Sequence, residues 1–273
     1  MIHTKLLGAT AALAAIALMA GCSGVTRPVP PDSQKLAAFN RRPTVLYFVE
    51  GNGGFSTSPY RAFRDGMRDA GVTHEVRNFD WHFGLPYIVT FNLLQYEKVQ
   101  VGAERLVREI VRMAEADPQR RIVLVGQSAG SEVILSALEL LRPDIRIDTV
   151  LMLSPATSHD RPLLEPLRAI DGRLYVIHNP LEIGMLGLGT TLVGCTNRRH
   201  TWGAGYSGFD MPDPDTLTPD ERAQYAKVHH AEWGEAMRAA GHSGTHFAGW
   251  SRTFVRNYVA HLIVDRPDRE DLP

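Results

Sequence analysis

Short apolar runs alternate with longer segments of helical period along most of the chain. Runs rich in β-branched and aromatic residues predict strands at 44–50, 72–79, 122–125, 148–153 and 174–178. Apolar positions with helical spacing predict helices at 60–70, 101–116, 131–141, 163–170, 220–240 and 250–264. Strands that alternate with helices form βαβ units, so the pattern predicts an α/β fold with a mainly parallel sheet covered on both faces.

Polar residues follow the predicted strands directly. Right-handed crossovers bring the carboxyl ends of parallel strands to one rim of the sheet, where open α/β sheets bind their ligands. The residues that follow strand ends are Glu50, Asp80, Ser128, Ser154 and Glu182. We therefore expect the functional site at this rim.

The turn after the third strand, Gly126-Gln127-Ser128-Ala129-Gly130, has the G-x-S-x-G pattern of a nucleophile elbow. Such a turn strains its central residue and points that side chain outwards, so small residues are needed two positions away on either side. The same letters also occur by chance in a plain glycine-rich turn. The strand–turn–helix context favours Ser128 as a nucleophile.

A serine hydroxyl needs a neighbouring base, and the base needs an orienting acid. In the order typical of the elbow, the acid and then the histidine follow the serine. His246 and His242 share a glycine-rich loop before the last predicted helix. We predict His246 as the base because it lies nearer that helix. For the acid we predict Glu182, four residues past the fifth strand, with Asp160 as the alternative.

A developing oxyanion requires two backbone N–H donors. We expect Ala129 to supply one, and either Asn52 or Gly53, in the glycine loop after the first strand, to supply the other. The aromatic segment 81–100 is predicted to be irregular, and it either walls a substrate pocket or packs over the core.

Composition adds mainly exclusions. The 273 residues are 44% hydrophobic and 22% charged, with a net charge of −1 and no basic run, so we expect no nucleic-acid partner. The two cysteines form no C-x-x-C pair, and no H-E-x-x-H occurs. We therefore expect no metal site and no cofactor. Protein partners are not indicated.

The amino terminus resembles an export signal. Residues 6–20 are apolar and too short for a comfortable membrane span, and small residues precede Cys22 as in a bacterial lipobox. The predicted layout is a signal peptide at 1–21, a lipidated proline-rich tether at 22–42, one domain at 43–265 and a tail at 266–273.

A lipid on Cys22 would anchor the protein in the bacterial cell envelope. Ser23 favours the outer membrane, with the domain facing the periplasm. The alternative is an ordinary signal peptide in which Cys22 is incidental. With Cys22 acylated, Cys195 has no partner for a disulfide.

Several stretches between Thr44 and Val264 resemble bacterial α/β-hydrolases of the esterase/lipase-like group, including lipoprotein-type serine hydrolases. They are FVEGNGGFSTSPYRAFRDGMRDAGV, NFDWHFG, LVGQSAGSEVILSALELL, LMLSPATS and GTHFAGWSRTFVRNYVAHLI. The resemblance implies an α/β-hydrolase fold, His246 as the catalytic histidine and Glu182 near the usual position of an aspartate. It also implies ester hydrolysis without naming a substrate.

Two classes of function remain open from the sequence. One is a serine hydrolase that forms an acyl-enzyme on a small-molecule or lipid ester, with thioesterase, amidase and acyltransferase chemistry as close variants. The other is an inactive lipoprotein that keeps the fold as a binding or envelope-structural module. A nucleotide binder is disfavoured because no loop carries G-x-G-x-x-G or a Walker motif.

Overall fold

One parallel sheet organises the domain. The computed structural model describes residues 31–51, 58–81 and 94–265. Within these residues the strands are β1 (Thr44–Val49), β2 (Glu75–Phe79), β3 (Arg121–Gln127), β4 (Ile147–Leu153), β5 (Ile170–His178) and β6 (Val228–Glu232). Their order across the sheet is β2-β1-β3-β4-β5-β6, and every neighbouring pair is parallel. The predicted α/β class with a parallel sheet is confirmed.

Helices connect the strands. The α-helices of the described residues are α1 (Ser33–Arg41), α2 (Ser58–Asp69), α3 (Leu94–Ala116), α4 (Gly130–Leu140), α5 (Leu164–Arg168), α6 (Thr190–Val193), α7 (Ala204–Ser207), α8 (Pro219–Tyr225), α9 (Glu235–Ala239), α10 (Arg252–Phe254) and α11 (Ala260–Val264). Two π-helical segments, Ile183–Gly189 and Val255–Val259, precede α6 and α11.

Successive residues of each central strand enter different cores. In β1, Val45 and Tyr47 pack on one face, whereas Leu46 and Phe48 pack on the other. Helices α3, α4 and α5 cover the first face; α1, α2 and the last helical segments cover the second. Because both faces are buried, these strands are continuous apolar runs, which is why the sequence predicts them.

A buried ion-pair network fastens α4 to the loop after β4. Glu132 lies inside α4, and its carboxylate accepts hydrogen bonds from Thr157 Oγ1 and, at 3.1 Å, from Arg161 Nε. Burial raises the pKa of Glu132, and Arg161 opposes that rise. Removing one partner would leave a buried charge unpaired, so the network holds this loop beside the elbow.

The predicted helix over 220–240 is wrong. The chain forms α8, then the strand β6, then the short helix α9. The β6 sequence, VHHAE, lacks an apolar run because this edge strand pairs only with β5 and keeps partly exposed side chains. Hydrogen bonding to β5 therefore decides the conformation against the local pattern.

Folded structure begins earlier than the predicted domain boundary. Helix α1 lies within the stretch 22–42 that the sequence assigns to a tether, and Phe39 of this helix is buried in the second core. Helix α3 likewise begins at Leu94, inside the segment predicted to be irregular. Asp32 caps α1 by accepting from the backbone N–H groups of Gln34 and Lys35.

Some sequence predictions fall outside the described residues. They concern the signal peptide, Cys22 and its lipid, most of segment 81–93 and the tail from 266. These stay predictions. Within the described part of the chain, no helix has the length and apolar character that crossing a bilayer requires.

Packing of α1 can be tested with Phe39→Ala. We expect this variant to lower the free energy of unfolding by about 3 kcal/mol, because it removes a buried aromatic side chain. Urea unfolding measures the change, and Gln34→Ala on the exposed face of α1 is the matched control, with an expected effect within about 0.5 kcal/mol. Equal urea midpoints for the two variants would mean that α1 does not pack on the domain and acts only as a tether.

Candidate active site

The turn between β3 and α4 holds Ser128 in a strained conformation. Its φ of 52° lies in the left-handed region, which residues other than glycine seldom adopt. Hydrogen bonds hold this backbone: Ser128 N–H donates to Leu153 O at 3.0 Å, and Ser128 O accepts from Ala156 N–H at 3.2 Å and from Ser131 N–H at 3.1 Å. The predicted elbow geometry is therefore present.

The glycine at the start of α4 permits a close approach to β1. A Cβ atom on Gly130 would lie 2.3 Å from Val49 O and 2.6 Å from Glu50 O. A Cβ on Gly126 would lie 2.9 Å from Ser131 Cα. Backbone atoms on both sides thus require glycine at the two flanking positions of the elbow, as the sequence predicts.

Three predicted residues form one chain of hydrogen bonds. His246 Nε2 lies 3.0 Å from Ser128 Oγ, and His246 Nδ1 lies 2.6 Å from Glu182 Oε2. The side chains of His246 and Glu182 are both buried. A carboxylate only accepts hydrogen bonds, so Nδ1 carries the proton and Nε2 is left to accept from the serine hydroxyl.

A second serine holds the other oxygen of the acid. Ser154, directly after β4, donates from Oγ to Glu182 Oε1 at 2.7 Å and is itself buried. Its φ is 47°, so its backbone is also in the left-handed region. Ser154 N–H donates to Ile177 O at 3.0 Å, which ties this position to the end of β5. Both carboxylate oxygens of Glu182 are thus engaged.

The loops that carry the acid and the histidine are joined directly. Asn179 Oδ1 accepts from Leu181 N–H at 2.9 Å, and Asn179 Nδ2 donates to Gly244 O at 2.8 Å. Asn179 is almost fully buried. Its side-chain amide therefore sets the distance between the Glu182 loop and the loop before His246.

The two alternative candidates lie elsewhere. His242 is buried, its Nδ1 accepts from Gly244 N–H at 3.1 Å, and its ring meets Phe254 edge-on. Burial lowers the pKa of His242 to about 4, so this ring is neutral at pH 7. Asp160 forms a partly exposed ion pair with Arg199. Neither residue takes part in the hydrogen bonds of Ser128.

The elbow opens into a cavity of about 250 Å³. None of the described residues that line it is Asp, Glu, Lys or Arg; these residues are Gln127, Ser128, Ala129, Ala156, Met185, Leu186, Gly189, Thr190, Val193, Gly194, Thr196, His246 and Phe247. A cavity with mostly apolar walls and a few convergent polar groups is typical of a small-molecule site. The serine and the histidine are both at its surface.

Of the predicted oxyanion donors, Ala129 is at the cavity. Its N–H has no acceptor among the described residues, so it is available to a bound oxygen atom. Asn52 and Gly53 lie outside the described residues, and their part in the site stays a prediction.

A different cavity, of about 840 Å³, lies at the amino ends of β1, β3, β4 and β5. Its lining is rich in charged residues, including Arg121 and Asp148, which form an ion pair at 3.5 Å. Among the described residues, no serine, cysteine or histidine lines this cavity. In the part of the chain that the structure describes, no cluster of three potential metal ligands occurs. Of the two cavities, the one at the elbow is therefore the one with a serine and a histidine in its described wall.

The contact of Ser154 with Glu182, the contact of Asn179 with the histidine loop, and the cavity wall were not predicted from the sequence. Ser154 and Asn179 do follow β4 and β5, so the strand-end rule places both at the rim. No local pattern reveals that either one contacts the acid or its loop. The cavity wall comes from segment 183–196, whose many glycines resemble an ordinary loop.

Comparisons with known proteins find similarity only at the level of folds. No protein-family model and no curated protein matches this chain. One similar solved structure is a novel cutinase-like protein from Cryptococcus sp., with 15% identity, a TM-score of 0.38, and coverage of 80% of this chain and 91% of that one. Another is a lipase-esterase related protein from Clostridium acetobutylicum ATCC 824, with 12% identity, a TM-score of 0.44, and coverage of 83% and 93%.

Gly130→Ala tests the close approach at the elbow. Alanine is the better helix former, but its Cβ would overlap the carbonyl oxygens of Val49 and Glu50, so we expect a loss of about 2 kcal/mol in the free energy of unfolding. Gly234→Ala is the matched control: a Cβ there meets no atom within 4 Å, so the expected change is within about 0.5 kcal/mol. Thermal or urea unfolding of both variants decides, and an undiminished stability of Gly130→Ala would refute the packing.

Proposed function

We propose that the protein is a serine hydrolase that cleaves carboxylic esters through an acyl-enzyme intermediate. The observation that carries the proposal is the continuous hydrogen-bond chain from Ser128 through His246 to Glu182 at the wall of a cavity. Each member has the donor or acceptor role that nucleophile, base and orienting acid require. Ser154 donates a hydrogen bond to the Glu182 oxygen that does not contact His246.

Acylation starts with proton transfer. Ser128 Oγ attacks the ester carbonyl carbon while His246 Nε2 accepts the hydroxyl proton, and the Glu182 carboxylate stabilises the resulting imidazolium. The carbonyl oxygen becomes an oxyanion that accepts a hydrogen bond from Ala129 N–H, with Asn52 or Gly53 proposed as the second donor. The C–O bond then breaks, and the alcohol leaves with the proton that His246 returns.

Deacylation repeats these steps with water. His246 Nε2 takes a proton from the water molecule as its oxygen attacks the acyl carbon, and the second tetrahedral intermediate uses the same oxyanion donors. Collapse of this intermediate releases the carboxylic acid and restores the Ser128 hydroxyl. The hydrogen bonds of Glu182 to His246 Nδ1 and Ser154 Oγ hold the imidazole in one orientation through both steps.

The cavity indicates the substrate class. Its apolar walls, which include Met185, Leu186, Val193 and Phe247, favour an uncharged ester with an aliphatic part. The described lining residues carry no charged side chain, which disfavours substrates with a phosphate or carboxylate near the scissile bond. A thioester or an activated amide would undergo the same chemistry.

The proposed triad is tested by the rate of labelling with a fluorophosphonate, which reacts with an activated serine. We expect no labelling of Ser128→Ala, and a decrease of at least about 10³-fold for His246→Ala and about 10²-fold for Glu182→Ala, because each change removes a step of the proton transfer. Asp160→Asn and His242→Gln, measured on folded protein, should label within about threefold of wild type.

These control variants separate the rival assignments. If Asp160→Asn lost labelling and Glu182→Ala kept it, Asp160 rather than Glu182 would be the acid. If His242→Gln lost labelling and His246→Ala kept it, His242 would be the base. A wild-type protein that is folded by circular dichroism and never labels would refute the hydrolase and favour a binding module that keeps the fold.

The effect of the Ser154 hydroxyl on catalysis can be measured separately from the effect of its left-handed backbone on stability. Ser154→Ala and Ser154→Gly both remove the hydroxyl that donates to Glu182, so we expect kcat for a soluble ester to fall about tenfold in each, with KM unchanged because Ser154 does not line the cavity. Glycine suits the left-handed backbone, so Ser154→Gly should be the more stable of the two. Wild-type kcat in Ser154→Gly would show that the hydroxyl has no positioning role.

A further inference from the structure

The segment 183–193 turns apolar side chains towards solvent. It consists of the π-helical segment Ile183–Gly189 followed directly by α6. Leu188 is 62% exposed and Leu192 is 78% exposed, and Ile183 and Met185 are also exposed. Leu186, Gly187 and Thr190 form the buried side of the same segment. Both sides of this helical segment are therefore apolar or small, unlike an ordinary surface helix.

This segment also lacks polar groups that a protein partner could pair with. The sequence from Ile183 to Asn197 contains no charged residue and no histidine. The hydroxyls of Thr190 and Thr191 are satisfied internally, since they donate to Leu186 O at 2.6 Å and to Gly187 O at 2.8 Å. The exposed face thus offers hydrocarbon surface almost alone.

The segment that carries these exposed side chains also forms one wall of the cavity that contains Ser128, because its residues Leu186, Thr190 and Val193 line that cavity. Met185 and Phe247 are exposed and line the cavity as well. We define the apolar rim as the exposed large apolar residues of 181–193 together with Phe247: Leu181, Ile183, Met185, Leu188, Leu192 and Phe247. The outer surface of the rim is therefore continuous with the inner wall of the cavity.

The other exposed large apolar side chains of the described residues are Val101, Leu140, Trp202 and Met211. Single exposed apolar residues are normal on a soluble surface, whereas a contiguous patch marks an interaction site for a membrane, a ligand or a protein. The concentration of such residues at one functional opening requires an explanation that general surface composition does not supply.

We propose that the apolar rim docks on a lipid surface and that the ester substrate enters the cavity from that surface. The proposal rests on the proposed function of Ser128 for its substrate, but the docking itself does not. A lipid surface matches a face that has no charge and few free hydrogen-bonding groups. A protein seated on the rim would instead close the mouth of the cavity, whereas a lipid layer can deliver an acyl chain into it.

Docking is tested by the environment of a fluorophore at the rim. The full chain carries Cys22→Ser together with Leu192→Cys, labelled with a nitrobenzoxadiazole maleimide; Cys195 is buried and stays unlabelled. The matched control carries the label at Leu140→Cys, which is 51% exposed at the far end of α4. On addition of phosphatidylcholine vesicles we expect the emission at position 192 to shift to shorter wavelength and to rise severalfold, with no change at position 140.

Three results would overturn the proposal. The first is an unchanged emission at position 192 in protein that sediments with the vesicles, because the amino terminus alone would then account for binding. The second is a shift that depends on protein concentration without vesicles, which would assign the rim to a second copy. The third is a short-wavelength emission already present in dilute protein, which would mean that the chain itself covers the rim.

Substrate delivery is tested separately with Leu188→Asp/Leu192→Asp, because neither residue lines the cavity. We expect this variant to keep wild-type turnover of a water-soluble short-chain ester within about twofold and to lose at least about tenfold on the same type of ester held in phosphatidylcholine vesicles. Leu140→Asp should change neither rate. An equal loss of activity on both substrates would contradict delivery of the ester from the lipid surface. A wild-type protein that is inactive on the soluble ester would refute the proposed function, but the fluorescence result would still test the docking.

Discussion

The left-handed backbone of Ser128 is the constraint on which the site depends. The left-handed conformation of an L-residue is unfavourable by about 1 kcal/mol of conformational free energy. Contacts with the neighbouring strands of the sheet offset this free energy. Hydrogen bonds to Leu153 and Ala156 hold the peptide groups from the β4 side, while Gly130 lets α4 approach the carbonyl groups of β1. Three neighbouring strands therefore determine where one hydroxyl points, and a change in any of them moves it.

The same rim positions the other two members of the hydrogen-bond chain. Glu182 follows β5, and Ser154 follows β4 with a second left-handed backbone, so the acid is held between two adjacent strand ends. The Asn179 amide extends this arrangement to the loop of His246. These two hydrogen bonds orient the carboxylate, so that one of its oxygens faces the histidine ring that it is proposed to stabilise.

The sequence predicted those features that a local pattern determines. Strands β1, β3, β4 and β5 are apolar runs because both of their faces are buried, and the elbow is a pattern of five consecutive residues. Edge strand β6 and helix α1 escaped prediction because their sequences are mostly polar and their conformation depends on β5 and on the burial of Phe39. His246 and Glu182 were accessible from chain order and strand ends, whereas Ser154 acts through a contact between residues 28 positions apart.

The apolar rim is where local pattern and position in the fold disagree most. Exposed leucine and methionine side chains on a helical segment contribute no favourable burial energy, and they favour non-specific association of the domain. In natural sequences such conflicts between pattern and position are concentrated at functional sites, because only a functional gain offsets their cost. Here the conflict lies at the opening that leads to Ser128, and the residues that cause it, Met185 and Phe247, also form the inner wall. One surface that continues from solvent into the cavity would serve both to hold a lipid layer and to admit an acyl chain, so docking and substrate selection are expected to depend on the same side chains.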